Sequence, residues 1–153
     1  MQLHAIMPCS LVNGPGRRTV VWFQGCELHC AGCWNKSTHS RYAGVPVTLS
    51  ELVSRILEAR HQYRIEGVTF SGGEPIHQIE SLTESLSILR KAAPELSVGL
   101  FSGYTKRELE QGQFETYAES TRESRKAAGR NFAGCSTLAC SGVITNTSHA
   151  RIL

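Results

Sequence analysis

Three short apolar runs, separated by two stretches of helical periodicity, limit this chain to few architectures. Thr19-Val20-Val21-Trp22-Phe23-Gln24, closed by Gly25, has the β-branched and aromatic content of a buried strand. Gly67-Val68-Thr69-Phe70 and Ser97 to Phe101 read the same way, ending at Ser71-Gly72-Gly73-Glu74-Pro75 and at Ser102-Gly103. Between the first two runs, Thr48-Leu49-Ser50-Glu51 has capping-box spacing, and Leu49, Leu52, Val53, Ile56 and Leu57 follow at i, i+3, i+4, i+7 and i+8. This predicts an amphipathic helix to about His61. Ile79, Leu82, Leu86 and Leu89 predict a second helix ahead of Pro94, and Thr105 to Glu108 repeats the capping-box spacing for a third, shorter one. Strand and helix alternating in this way predict an α/β fold, a parallel sheet flanked by helices, with functional loops at the carboxyl ends of the strands. At 153 residues the chain suffices for one core.

The periodicity stops near Glu115. Residues 120–153 are rich in Ser, Thr, Ala, Gly and Arg, and carry 5 Lys or Arg against 1 Glu, whereas residues 1–119 carry 11 against 12. The expected division is therefore a core over residues 1–114 and a divergent tail over 115–153, either disordered or translated out of frame. The mild basic balance of the tail, without interleaved aromatic residues, reads as solvated chain, so no nucleic-acid partner is expected. No apolar run is long enough for a membrane span, and no basic segment precedes an apolar one as in a signal peptide. A cytoplasmic protein without a membrane partner is the expectation.

In a reducing compartment, six cysteines call for an explanation beyond core filling. Cys26, Cys30 and Cys33 form a C-x3-C-x2-C segment directly after the first apolar run. Gly25 and Gly32 disfavour helix there and suggest a loop wrapping three thiolates around one centre. Three thiolates suit zinc or an iron–sulfur cluster. Zinc in a structural site needs a fourth ligand, for which His29, His39, Cys9 or a distant cysteine are the candidates. A cubane held by three cysteines instead leaves one iron open to a second molecule. The Gly72-Gly73 turn lets backbone approach a ligand closely at the end of the next run.

In these motifs the chain resembles the radical S-adenosylmethionine superfamily, and within it the small activating enzymes of glycyl-radical reductases. Four segments carry the resemblance: Val12-Asn13-Gly14-Pro15-Gly16 with Arg18; Phe23-Gln24-Gly25-Cys26 through the cysteines to Trp34-Asn35-Lys36-Ser37-Thr38; Thr69 to Pro75; and Ser102-Gly103-Tyr104. The resemblance implies a partial (β/α) barrel in which Cys26, Cys30 and Cys33 ligate a 4Fe-4S cluster whose fourth iron is chelated by S-adenosyl-L-methionine. It also implies that Gly32, Cys33, Trp34, Gly73 and Glu74 hold that cofactor, with Trp34 as an apolar wall beside the adenine. The implied chemistry is reductive cleavage of S-adenosylmethionine to a 5′-deoxyadenosyl radical, which takes a hydrogen from a glycine of anaerobic ribonucleoside-triphosphate reductase. An electron donor such as flavodoxin is implied as a further partner. Because that chemistry uses no acid–base dyad, the absence of aspartate, all 13 acidic residues being glutamate, is no obstacle. The alternatives are activation of another glycyl-radical enzyme such as pyruvate formate-lyase, a non-catalytic zinc-binding module, and an inactive remnant.

Relatives in such a family continue with a further strand ending in a Val-Asp-Gly-like turn and an Arg-Gly-Ser-Ser-Asn-Gln-like segment; neither is present here. Among other residues, His29 reads as a solvent-facing spacer, His61 and His77 as surface residues of helices, and Cys9 as an ordinary small residue. Arg18 either pairs with a carboxylate or flanks its strand. Cys135 and Cys140, spaced C-x4-C, read as ordinary residues ahead of a second metal site.

Overall fold

A computed structural model of the chain describes residues 1–117. Each expected element is present. The first apolar run forms β2 (Arg18–Phe23), the second β4 (Gly67–Gly72) and the third β5 (Ser97–Leu100), with α1 (Leu49–Tyr63), α2 (Ile79–Ala92) and the short α3 (Lys106–Glu110) where the periodicity places them. Two elements join them in the sheet, β1 (Gln2–Ser10) and the two-residue β3 (Val45–Pro46). The five strands form an open sheet in the order β3-β1-β2-β4-β5.

The expected all-parallel sheet is thereby corrected to a mixed one. β2 pairs in parallel with β4, and β4 with β5, each connection crossing over through a helix, whereas β1 runs antiparallel to both β2 and β3. The register of β1 on β2 slips between Leu3 and Ala5 and again between Met7 and Ser10, so its side chains do not alternate cleanly between core and solvent.

The core lies between the sheet and the paired helices. Val21, Phe23, Val68 and Phe70 from β2 and β4 meet Leu52 and Ile56 of α1 and Leu82 and Leu89 of α2, all buried. Phe23 and Phe70 pack edge to face with centroids 6.2 Å apart, the arrangement favoured by the ring quadrupoles. Thr48 caps α1 by accepting from the Glu51 backbone N–H, and Thr105 and Glu108 complete a reciprocal capping box on α3. Among the described residues, no helix is long and apolar enough to cross a membrane.

Candidate iron–sulfur site at the carboxyl ends of the strands

The cysteine loop leaves the carboxyl end of β2, and its two ends are tied together by backbone. Gly25 N–H donates to Thr38 O at 2.7 Å and Cys26 N–H to His39 O at 3.0 Å. The buried Gln24 amide donates to Ser37 O at 3.0 Å and Ser40 O at 2.7 Å, closing the same loop from beneath. Residues 26–36 are thus a bight on a fixed neck. Within it Cys33 N–H donates to Cys30 O at 3.2 Å, and Gly32 adopts φ +75° with open space around its Cα.

The three cysteines are free, Cys26 and Cys33 half-buried and Cys30 exposed. Burial pushes the Cys26 thiol up in pKa, the Leu28 backbone N–H pulls it down, and the charges of Glu74, Cys30 and Cys33 push it up further. Cys26 therefore lies within electrostatic reach of Cys30, Cys33 and Glu74, where a cationic centre would favour its thiolate form. Among the described residues no three His, Cys, Asp or Glu side chains close around a single ion. A cubane cluster held by three cysteines needs only thiolate donors on a partly exposed loop. The donor set fits it: three thiolates, with His29 exposed to solvent as expected.

The Gly-Gly-Glu turn meets this neck directly. Gly73 N–H donates to Phe23 O at 2.8 Å and Glu74 N–H to Gly25 O at 2.9 Å. Gly73 lies so close to the Gly25 carbonyl that a Cβ there would collide with it. The Glu74 side chain is fully buried, its carboxylate accepting from Ile76 N–H at 2.9 Å, Ser102 Oγ at 3.0 Å and Gly103 N–H at 2.8 Å. Burial raises its pKa, and those three donors oppose the rise. The carboxylate thus clamps the loop after β4 to the loop after β5. Gly32, Cys33, Gly73 and Glu74 accordingly lie on segments joined through the neck, while Trp34, 93% exposed, packs against nothing.

One expectation changes, and one open alternative narrows. His77 is buried rather than on the surface, because the 3-10 turn Pro75–Gln78 ahead of α2 turns it inward. Its Nε2 is 3.1 Å from the Tyr104 hydroxyl, and burial lowers its pKa. Among the described residues Arg18 meets no carboxylate within ion-pair distance. It is buried at the opposite end of β2, where its guanidinium donates to Thr69 Oγ1, Ser97 Oγ and the carbonyls of Pro15, Val68 and Ser97. Cys9 packs at the core's margin and His61 is exposed. Cys135 and Cys140 lie outside the described residues.

Two further residues matter that sequence reading did not single out. Gln78 brackets the neck, donating to Gln2 O and Gln24 O and accepting from Gln2 N–H. Tyr117 donates its backbone N–H to His77 O at 2.6 Å and lays its ring over Gly25. The 3-10 turn after Pro75 could have indicated an inward Gln78; no local pattern marks Tyr117. A cavity of about 320 Å³ opens beside them, lined among others by Gln24, Arg41, His77, Gln78 and Tyr117, but by none of the cysteines.

The family described as a 4Fe-4S single cluster domain matches residues 12–122. The anaerobic ribonucleoside-triphosphate reductase-activating protein of Vibrio cholerae is 32% identical over 117 residues, 74% of this chain and 75% of that protein. The pyruvate formate-lyase-activating enzyme of Clostridium pasteurianum is 40% identical over 92 residues, and the aligned part spans 59% of this chain and 39% of that enzyme. Among solved structures, the crystal structure of QueE from Escherichia coli overlaps 67% of this chain and 51% of its own with a TM-score of 0.45 at 20% identity.

Proposed function

Because the chain belongs to the 4Fe-4S single cluster domain family, among the radical S-adenosylmethionine activating enzymes, we propose that it generates the glycyl radical of an anaerobic ribonucleoside-triphosphate reductase. The observation that carries the reading is the junction of the cysteine loop with the Gly73-Glu74 turn through the Phe23 and Gly25 carbonyls. It puts three thiolate donors and a close-approach backbone turn at one end of the sheet. Preference for this partner over pyruvate formate-lyase rests on extent. The match to the Vibrio cholerae protein runs through three quarters of both chains, that to the Clostridium pasteurianum enzyme through 39% of the latter. The higher identity over that shorter stretch keeps pyruvate formate-lyase as the second reading.

Cys26, Cys30 and Cys33 would hold the 4Fe-4S cluster, and residues 32–34 with Gly73 and Glu74 would hold S-adenosylmethionine. Once bound, the pair would supply one-electron reductive chemistry at the sulfonium and, through it, hydrogen abstraction from a glycine. The chain's own residues supply position and environment. The neck formed by Gly25, Cys26, Thr38 and His39 fixes where the bight starts and ends. Glu74 keeps the loops after β4 and β5 at constant separation, so that a cofactor contacting one is in register with the other. The open sheet with α1 and α2 is read as part of a (β/α) barrel, residues 1–114 as its core and 115–153 as a divergent tail, in a cytoplasmic protein served by a flavodoxin-like donor.

The test is anaerobic reconstitution with iron and sulfide, reduction with dithionite, and assay of 5′-deoxyadenosine from S-adenosylmethionine. Product is expected from the native chain and none from Cys26→Ala, Cys30→Ala or Cys33→Ala. Adding the reductase or pyruvate formate-lyase then identifies the partner by its glycyl-radical signal. One tight zinc with no cluster would overturn the reading.

A further inference from the structure

All three buried side-chain polar atoms that lack a hydrogen-bond partner among the described residues, His39 Nε2, His77 Nδ1 and Tyr117 Oη, belong to residues packed around the Gly25–Cys26 neck. His39 accepts the Cys26 N–H through its backbone, and His77 accepts the Tyr117 N–H through its own. The Tyr117 ring is tilted on the His77 imidazole with centroids 4.9 Å apart, and the Arg41 guanidinium carbon lies 5.5 Å from the same ring's centre. These contacts fix the phenol over Gly25. A Cβ built on Gly25 would fall 2.6 Å from Tyr117 Cε2 and 2.8 Å from Oη, so the close seat needs a glycine, as does Gly25's φ of +101°.

A buried hydroxyl without an acceptor is costly, and such groups are rare in folded proteins. Burial, with the nearby charges of Glu27 and Cys26, pushes the Tyr117 phenol up in pKa, so at neutral pH it keeps its proton and is a donor. The Gly25 carbonyl already accepts from Glu74 N–H. Tyr104, the other tyrosine influenced by Cys26, has its oxygen engaged by His77 Nε2 and by Glu115 N–H. That leaves Tyr117 Oη, among the described residues, without a partner and seated over Gly25, the residue before the first cysteine.

We propose that Tyr117 is a positioning residue of the cluster: its hydroxyl donates a hydrogen bond to Cys26 Sγ once that sulfur is a thiolate ligand. The inference rests on the cluster assignment above. A hydrogen bond to a ligating sulfur stabilises the reduced, more electron-rich state and raises the potential at which the cluster accepts its electron.

The test compares the full-length, anaerobically reconstituted chain with Tyr117→Phe, which keeps the ring over Gly25, and with Tyr104→Phe. The midpoint potential is read by titration of the reduced cluster's electron paramagnetic resonance, and exchangeable protons coupled to it by electron–nuclear double resonance in H2O against D2O. In Tyr117→Phe the midpoint moves to more negative potential and one exchangeable coupling disappears; in Tyr104→Phe the coupling persists. An unchanged midpoint and coupling in Tyr117→Phe, or loss of the same coupling in Tyr104→Phe, overturns the proposal while leaving the cluster assignment standing. Failure of the native chain to assemble a cluster overturns both.

Discussion

Two buried residues bound to no carboxylate test how far single side chains hold this molecule together. Among the described residues Arg18 is buried with five hydrogen bonds and no ion-pair partner, so its role is to satisfy acceptors. Burial lowers its pKa, and Glu66 at longer range counters this. Arg18→Met keeps much of the length but removes the donors to Thr69 Oγ1, Ser97 Oγ and the carbonyls of Pro15, Val68 and Ser97 at once, while Thr69 and Ser97 keep their own bonds to the Asn13 and Glu66 carbonyls. A loss of about 3 kcal/mol or more is expected, read as a lower urea midpoint at unchanged slope. Arg18→Lys, with three donors on one nitrogen, should recover only part of it. His77 gives a pH signature. Its folded pKa lies below the unfolded value of about 6.5, so the unfolded chain takes up the proton first as pH falls. Stability is fully present above about pH 6.5 and declines as pH falls from there through the folded pKa. Urea midpoints from pH 7.5 to 5 should therefore drop more steeply for the native chain than for His77→Phe. At this scale the sequence showed which residues belonged to motifs but not what they touched. A histidine two residues after a proline looks solvent-facing, and the second arginine of a pair at a strand's start shows no partner, until the turn and the sheet are built around them.

At the scale of elements, the helices and the parallel strands were legible because each presents one clear period, 3.6 or 2 residues, or a continuous apolar run. β1 was not legible. Its sequence, Gln-Leu-His-Ala-Ile-Met-Pro-Cys-Ser, includes a proline, and two register slips break the alternation by which an antiparallel strand is recognised. Without β1 the sheet looked wholly parallel. The site's position at the carboxyl ends of the strands was legible because it follows from the parallel part alone, β2, β4 and β5. What no pattern could show is that the loops after these strands are bonded to one another. Gly73 is where that bonding is most exposed to substitution. In Gly73→Ala the added methyl meets the Gly25 carbonyl and comes within 3.1 Å of Thr38 O, so both are pushed from the neck. A stability loss of about 1–3 kcal/mol is expected. The larger effect should be on cluster assembly, with iron and sulfide bound per chain falling several-fold while the far-ultraviolet circular dichroism is unchanged. Equal iron content in Gly73→Ala and the native chain would show that the junction of the two loops is not needed to shape the cysteine site.

Taken as a whole, the described chain keeps its core and its cysteines apart. The apolar core runs from Leu3 through β2, α1, β4, α2 and β5 to Leu109 of α3 and contains none of Cys26, Cys30 and Cys33. Cys30 is exposed, and the other two are half-buried on a loop whose neck is held by backbone bonds and by Gln24 rather than by sulfur. This differs from a small metal-folded domain, where ligand binding and folding are one event. The fold should therefore form without the cluster. Replacing all three cysteines by alanine removes little buried surface, so the change in stability should stay within about 1 kcal/mol. For a chain of this size that is a shift of about 2–4 °C in melting temperature. Assembly of the cluster binds the folded chain and not the unfolded one, so the loaded native protein should melt above its own apo form by more than that margin. Anaerobic thermal unfolding of three samples, the apo native chain, the triple variant and the loaded native chain, separates the cases. A cooperative transition shared by the first two and raised in the third means that the sheet and helices form a scaffold already folded before the metal arrives. A triple variant without a cooperative transition would mean that the cysteine loop helps to fold the sheet it is carried on.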